Sequence, residues 1–233
     1  MASEPHKLTS ASWINGLRAA VLGANDGIVS VAGIVVGVAG ANSSKGVILT
    51  AGIAGLAAGA FSMAAGEYVS VSSQKDTQEA LIRQERKELE EDPEGELKEL
   101  AGFYEEKGLA KKTAMQVAKE LTAKDPLQAH AEVELKLDPD DLNNPWHAAI
   151  ASAISFTLGS AIPIIAIELS PRNLQVIITF IAVLLALSIT GYTSAWIGGA
   201  NKLKATARVI VGGILAMLAT YYIGKLIGHH IVQ

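Results

Sequence analysis

Five apolar runs, each long enough to cross a hydrocarbon core as a helix, constrain this chain more than any other feature: roughly 19–40, 46–72, 147–169, 174–199 and 206–228. About 20 helical residues span such a core. Lipid offers no solvent for an unpaired backbone group, so these runs are expected to be helices, and none alternates as a barrel strand does. Half of the 233 residues are hydrophobic and only 18% are charged, more apolar surface than one soluble core of this size buries. Charge is also segregated by position. Of 23 acidic residues, 19 lie between Asp76 and Asp141, leaving Glu4, Asp26, Glu67 and Glu168 outside that block. The net charge of -4 is therefore an average over a nearly neutral lipid part and an acidic insert, and gives no reason to expect nucleic acid as a partner.

The turns between runs carry helix-stopping residues, at 41–46, 170–173 and 198–204. The second run has no such stop. From Gly66 there is neither Pro nor Gly until Pro93, which predicts one continuous helix leaving the lipid by several turns. Helix-rich segments resume near 94–108, 110–124 and 127–137, before an Asp, Asn and Pro-rich stretch leads back into lipid. The expected fold class is all-α: an integral membrane protein with five transmembrane helices and a small cytoplasmic three-helix metal-binding domain. The expected boundaries are 1–18 for a cytoplasmic N-terminal segment, 19–74 for the first two spans, 75–143 for the acidic domain and 144–233 for the remaining spans. Basic residues set the orientation. With the N-terminus in the cytoplasm, Lys7, Arg18, Lys202, Lys204, Arg208 and eleven Lys/Arg of the insert lie inside, against Lys45, Arg172 and Lys225 outside, as the positive-inside rule requires. The absence of cysteine excludes disulfides, thiolate metal sites and cysteine nucleophiles. The polar first sixteen residues lack the basic, apolar and cleavage regions of a signal peptide.

A carboxylate at mid-membrane costs about 2.5–3.5 kcal/mol on insertion scales, which makes it a functional candidate by default. Asp26, in GANDG, is such a group; the plain alternative is a hydrogen bond to a neighbouring helix. Gly23 and Gly27 beside it suggest an unobstructed backbone, as an ion passage would need. In the second span Gly55, Gly59, Met63 and Glu67 recur every four residues and so share a helical stripe. Small residues there permit close helix approach. Met63 alone reads as packing. One turn from Glu67 it offers a thioether beside a carboxylate, a combination that suits Fe(II) better than Mg or Ca. Burial disfavours the charged form of an acid, so protons and metal would compete for Asp26 and Glu67, the minimum a metal/proton exchanger requires.

In the insert, Glu85, Glu88, Glu96 and Glu99 fall within about an 80° sector of an unbroken helix. Such a run is ordinarily a solvated face, here interleaved with Arg83, Arg86, Lys87 and Lys98. If Pro93 and Gly95 break the helix, the four belong instead to two facing helices, which make a better cage. His130 and Glu134, four apart, add an imidazole and a carboxylate with Glu132 close by, a donor set suited to Fe(II), Mn(II) or Zn(II). Neither ExxH nor HExxH occurs, so neither a ferritin-type di-iron bundle nor a zincin site is expected.

The segments LRAAVLGANDGIVS at 17–30, AGIAGLAAGAFSMAAGEYVSVSSQ at 51–74 and NPWHAAIASAISFTLGSAIPI at 144–164 resemble the vacuolar iron transporter family over nearly the whole chain. The resemblance implies a homodimer whose first spans enclose the ion path, and divalent iron, or manganese in some members, moved out of the cytosol in exchange for protons. Asp26, Met63 and Glu67 match the family's pathway motifs. Glu85, Glu88, Glu96 and Glu99 match its first cytoplasmic metal ligands, and Glu134 its last set. His130 stands where the family has a methionine. The dimer is what the resemblance implies, and the glycine pairs 55/59 and 224/228 are compatible with close helix contact.

The resulting expectation is a transporter rather than an enzyme, with no permanent cofactor. Its cargo or ligand is iron or another transition metal such as Mn, Zn or Co, and its partners are metal ions, protons, the lipid bilayer and a second copy of the chain. It would sit in a vacuolar-type or bacterial plasma membrane, with the N-terminus and 75–143 cytoplasmic. An uncoupled divalent-cation channel and a membrane-anchored metal sensor or sequestering protein are the alternatives. No paired nucleophile and base and no phosphate-cradling loop supports an enzyme.

Overall fold

The structure, a computed structural model, describes residues 11–231, with side chains from 16 to 229. The first ten residues of the expected N-terminal segment, Lys7 among them, lie outside the described residues. All regular structure described is helical: α1 (Ala11–Gly40), α2 (Lys45–Glu91), α3 (Pro93–Glu106), α4 (Lys111–Lys124), α5 (Pro126–His130) continued by a π-helical turn (Ala131–Leu135), α6 (Pro145–Leu169), α7 (Gln175–Ile197) and α8 (Lys202–Ile231). Five of these, α1, α2, α6, α7 and α8, are long and apolar enough to cross a membrane. The expected unbroken second helix is present. At 1.5 Å per residue its 47 residues extend about 70 Å, more than twice a hydrocarbon core. It stops where the sequence supplies a stop: Pro93 begins α3, and Asp92 caps it by accepting the Gly95 N–H at 2.9 Å.

The described chain divides into two compact units, one built on Val69–Pro145 and the other on Asn15–Tyr68 with the residues from Trp146 onward. In the second unit α1 is the central helix. Its Ile28, Val31, Val35 and Val36 join Ile48, Phe156, Ile167, Val183, Leu187 and Met217 in one buried cluster. Glycine decides who approaches it. A Cβ added at Gly23 would lie 2.5 Å from the Ser152 carbonyl oxygen, and one at Gly27 or Gly159 would strike a backbone carbonyl of the facing helix, so α1 and α6 meet backbone to backbone. A Cβ on Gly224 or Gly228 of α8 would strike Gly37 or Ala41. Outward residues such as Phe61 (79% exposed) and Leu158 (66%) are apolar, as lipid-facing side chains should be.

One expectation changes here. Gly23 and Gly27 do not leave space beside Asp26; the backbone of α6 fills it. The glycine pairs do make close helix contacts, and these lie within the chain: Gly55 faces Ile34, Gly59 faces the Phe156 ring, and Gly224 and Gly228 face α1. The physical reason is that a small-residue stripe specifies close approach without specifying which helix approaches.

The first unit has a small core of Leu100, Ala101, Ala118 and Ala129, flanked by Leu97, Tyr104, Met115, Leu121 and Val133. Gly102 of α3 has nothing within 4 Å of where its Cβ would be. Replacing it with Ala should therefore stabilise this unit by about 0.5–1 kcal/mol through helix propensity. Gly23→Val should cost more than the ~1–3 kcal/mol typical of overpacking, since the obstacle is backbone. Thermal unfolding of the detergent-solubilised chain checks both. A Gly23→Val variant as stable as the wild type would contradict the α1–α6 contact.

Candidate functional site

The densest concentration of chemistry lies in the first unit. Asp125 caps α5 by accepting the Gln128 N–H at 3.0 Å, with Pro126 at the first helical position. The helix then widens into the π turn and closes at Lys136, held at φ 55°, with the Leu137 N–H donating to the Ala131 carbonyl at 2.9 Å. Single π turns within helices are rare and concentrate at functional sites. His130 sits at the junction, with 0% of its surface exposed. Its Nδ1 lies 2.9 Å from Glu85 Oε1, 3.5 Å from Glu96 Oε2 and 3.7 Å from Glu134 Oε2.

Three carboxylates therefore converge on one ring nitrogen, which can serve at most one of them. The 2.9 Å approach itself is off the direction a hydrogen bond needs: Glu85 Oε1, Glu134 Oε2 and both His130 nitrogens are buried without a hydrogen-bond partner. Buried polar atoms left unpaired are uncommon, and here Glu85 Oε1, Glu134 Oε2 and His130 Nδ1 share a centre. Glu85, Glu96 and His130 each offer a ligand atom within 4.8 Å of the others. An imidazole among carboxylates at that spacing can hold a divalent transition metal.

Electrostatics agree with the geometry. Burial pushes the Glu85 carboxyl up from 4.5 to about 7, aided by the charges of Glu134, Glu96, Glu88 and Glu99. Burial likewise raises Glu96, with Glu99 and Glu88 adding to it. Glu134 is raised by burial and by Glu99, while His130 pulls the other way. A cation at the centre would relieve all three.

The sequence-predicted ligands thus separate into two groups. Pro93 divides the four glutamates between α2 and α3, and the structure gathers Glu85, Glu96, His130 and Glu134. Glu88, half-buried, accepts from Gln84 at 2.9 Å, and Glu99 is exposed; both act on the cluster through their charge. Glu132 is exposed and bonded to Gln128 at 2.6 Å.

In the second unit Asp26 is half-buried on α1. Among the described residues its carboxylate has no hydrogen bond or ion pair, and the neighbouring Asn25 Oδ1 is buried without a partner. Met63 is packed against the apolar cluster that holds Ile28 and Phe156. Glu67 is 7% exposed and accepts a hydrogen bond from Arg18 Nη2 at 3.1 Å. Sequence reasoning missed that pair: the partners are 49 residues apart, and no local spacing announces it. No hydrogen bond or ion pair joins Asp26, Met63 and Glu67 to one another among the described residues. Glu168 makes an ordinary surface pair with Lys45 at 3.8 Å, both about half exposed.

Comparison with known proteins bears on both units. A model of the VIT family matches residues 17–225. A vacuolar iron transporter of Acanthamoeba castellanii is 46% identical over 227 residues, which cover 96% of this chain and 82% of that protein. Vacuolar iron transporter homolog 1 of Oryza sativa is 38% identical over 94% of this chain and 76% of its own length. Vacuolar iron transporter homolog 2.1 of Arabidopsis thaliana is 33% identical over 96% of this chain and 85% of its own.

His130→Ala should weaken Fe(II) binding by the full-length protein roughly 10–100-fold, the usual cost of disturbing a metal's ligand environment, measured by anaerobic calorimetric titration. pH gives a second check. Because folding raises the Glu85 carboxyl from 4.5 to about 7, the metal-free fold favours the protonated form, so its stability falls as pH rises through that interval. Glu85→Gln should flatten that decline, and Fe(II) should reverse it in the wild type. A metal-free stability that climbs across the same interval would contradict the assignment.

Proposed function

Because the chain belongs to the VIT family, we propose that it carries divalent iron out of the cytosol in exchange for protons, collecting the metal at the Glu85–Glu96–His130–Glu134 cluster. Manganese is the second cargo, since the same oxygen and imidazole donors accept it. The observation that carries the reading is the convergence of unpaired carboxylate and imidazole atoms on one buried centre, in a chain whose relatives are named iron transporters. Glu88 and Glu99 draw cations toward that centre by their charge. In the spans the Asp26 carboxylate has no partner among the described residues, which fits a site where a cation and a proton alternate. Met63 supplies a soft donor and Glu67 a second carboxylate once Arg18 leaves it.

In this reading the acidic unit and the N-terminus are cytoplasmic, consistent with the distribution of Lys and Arg. The membrane is vacuolar-type or a bacterial plasma membrane, and the transporter is a homodimer that holds no permanent cofactor and is not an enzyme. The dimer rests on family membership rather than on the glycine pairs, which the fold uses internally. Exchange predicts that Fe(II) entry into proteoliposomes requires an outward proton gradient and is accompanied by proton efflux. Asp26→Ala should abolish this coupled flux while leaving Fe(II) binding at His130 intact. Flux at undiminished rate without a gradient would replace the exchanger with a channel. Intact coupled flux in Asp26→Ala would remove Asp26 from the path.

A further inference from the structure

Glu67 and Arg18 form an unequal pair. The carboxylate is 8% exposed and the guanidinium 52%, so one partner is fixed inside the helix contact while the other reaches solvent. Among the described residues the contact is single: one Nη2 meets one Oε2 at 3.1 Å, leaving the bidentate fork of the arginine unused there. The surface pair Lys45–Glu168, at 3.8 Å with both partners about half exposed, lacks this inequality. A buried carboxylate in an otherwise apolar run needs a counter-charge, and α1 supplies it to α2 from 49 positions away. The counter-charge is also the more movable half, because arginine stems keep their heads near water.

We propose that Arg18 is a tethered competitor for the cargo: its guanidinium occupies Glu67 when no metal is present and swings to solvent when a divalent cation arrives. This rests on the transport reading above and deepens it by assigning a positioning residue to the path. A divalent ion brings twice the charge in a smaller radius, so it displaces the single-point guanidinium contact. Arg18 thereby keeps a buried charge compensated through the empty stage of the cycle and lowers the apparent affinity for metal by the fraction of time it occupies Glu67. The exchange asks only the arginine side chain to move, so no other element has to move with it.

The test is the concentration dependence of Fe(II) uptake by full-length protein in proteoliposomes. Removing the competitor with Arg18→Gln should lower the apparent KM about fivefold, the effect expected if the pair holds Glu67 roughly four-fifths of the time. The maximal rate should fall, because metal leaves the freed carboxylate more slowly. Arg18→Lys, which keeps the charge without the fork, should fall between the two. A merely structural pair would lose rate with KM unchanged or raised, and that result overturns the inference. Should Arg18→Gln fail to fold, the wild type decides. Peptide-resolved labelling of Arg18 by phenylglyoxal should increase as Fe(II) is added over the range that saturates uptake, and constant labelling overturns the inference. Absence of uptake by the wild type would instead sink the transport reading, before Arg18 is in question.

Discussion

Backbone contact along α1 is the constraint on which the membrane-spanning part depends. In lipid, helices gain little from hiding apolar surface, since the solvent is itself apolar, and association relies on packing at short range. Gly23 and Gly27 bring α6 against one side of α1, and Gly37 receives Gly224 of α8 on another. α2 closes in through Gly52, where a Cβ would lie 2.7 Å from the Val35 side chain. The consequence is a central helix enclosed on several sides, whose polar groups are placed by their register rather than by local freedom. Asp26 sits one residue before Gly27, and Arg18 two turns earlier, so both inherit their positions from the same contacts.

The chain uses two opposite solutions to the problem of a buried carboxylate. Glu67 receives a guanidinium from another helix, and its charge is compensated within the protein. Among the described residues Glu85, Glu96 and Glu134 meet one imidazole and otherwise like charge, and burial with that like charge makes them hold protons more tightly. The first arrangement is complete without a ligand; the second is not. An acidic cluster on a surface would relax by turning outward, but the Glu85 side chain is 3% exposed and His130 0%, and the π turn after His130 fixes the ring where the carboxylates meet. Protons relieve that charge, and a metal at the same centre would do so in their place, which would link the site to pH.

Much of this was legible in the sequence and some of it was not, for physical reasons. Apolar run length reports helices in lipid directly, and Pro93 marked where the long second helix ends. That break also implied the division of four glutamates between two facing helices. The i, i+4 spacing of His130 and Glu134 pointed to a shared face, although the π turn that brings it about follows from no composition rule. Periodicity was silent on partners: the Gly55–Glu67 stripe was real, but whether Ile34, Phe156, lipid or a second subunit lies against it depends on the fold. The Arg18–Glu67 pair joins residues on separate helices, so no window of sequence contains it.

The central claim is that the unpaired atoms around His130 form a cradle for a divalent metal, and X-ray absorption at the iron edge of full-length protein loaded with one equivalent of Fe(II) tests it most directly. The account predicts a first shell of oxygen and nitrogen that includes one imidazole, whose outer-shell scattering disappears in His130→Ala. A spectrum with oxygen neighbours alone, identical in wild type and variant, would contradict it.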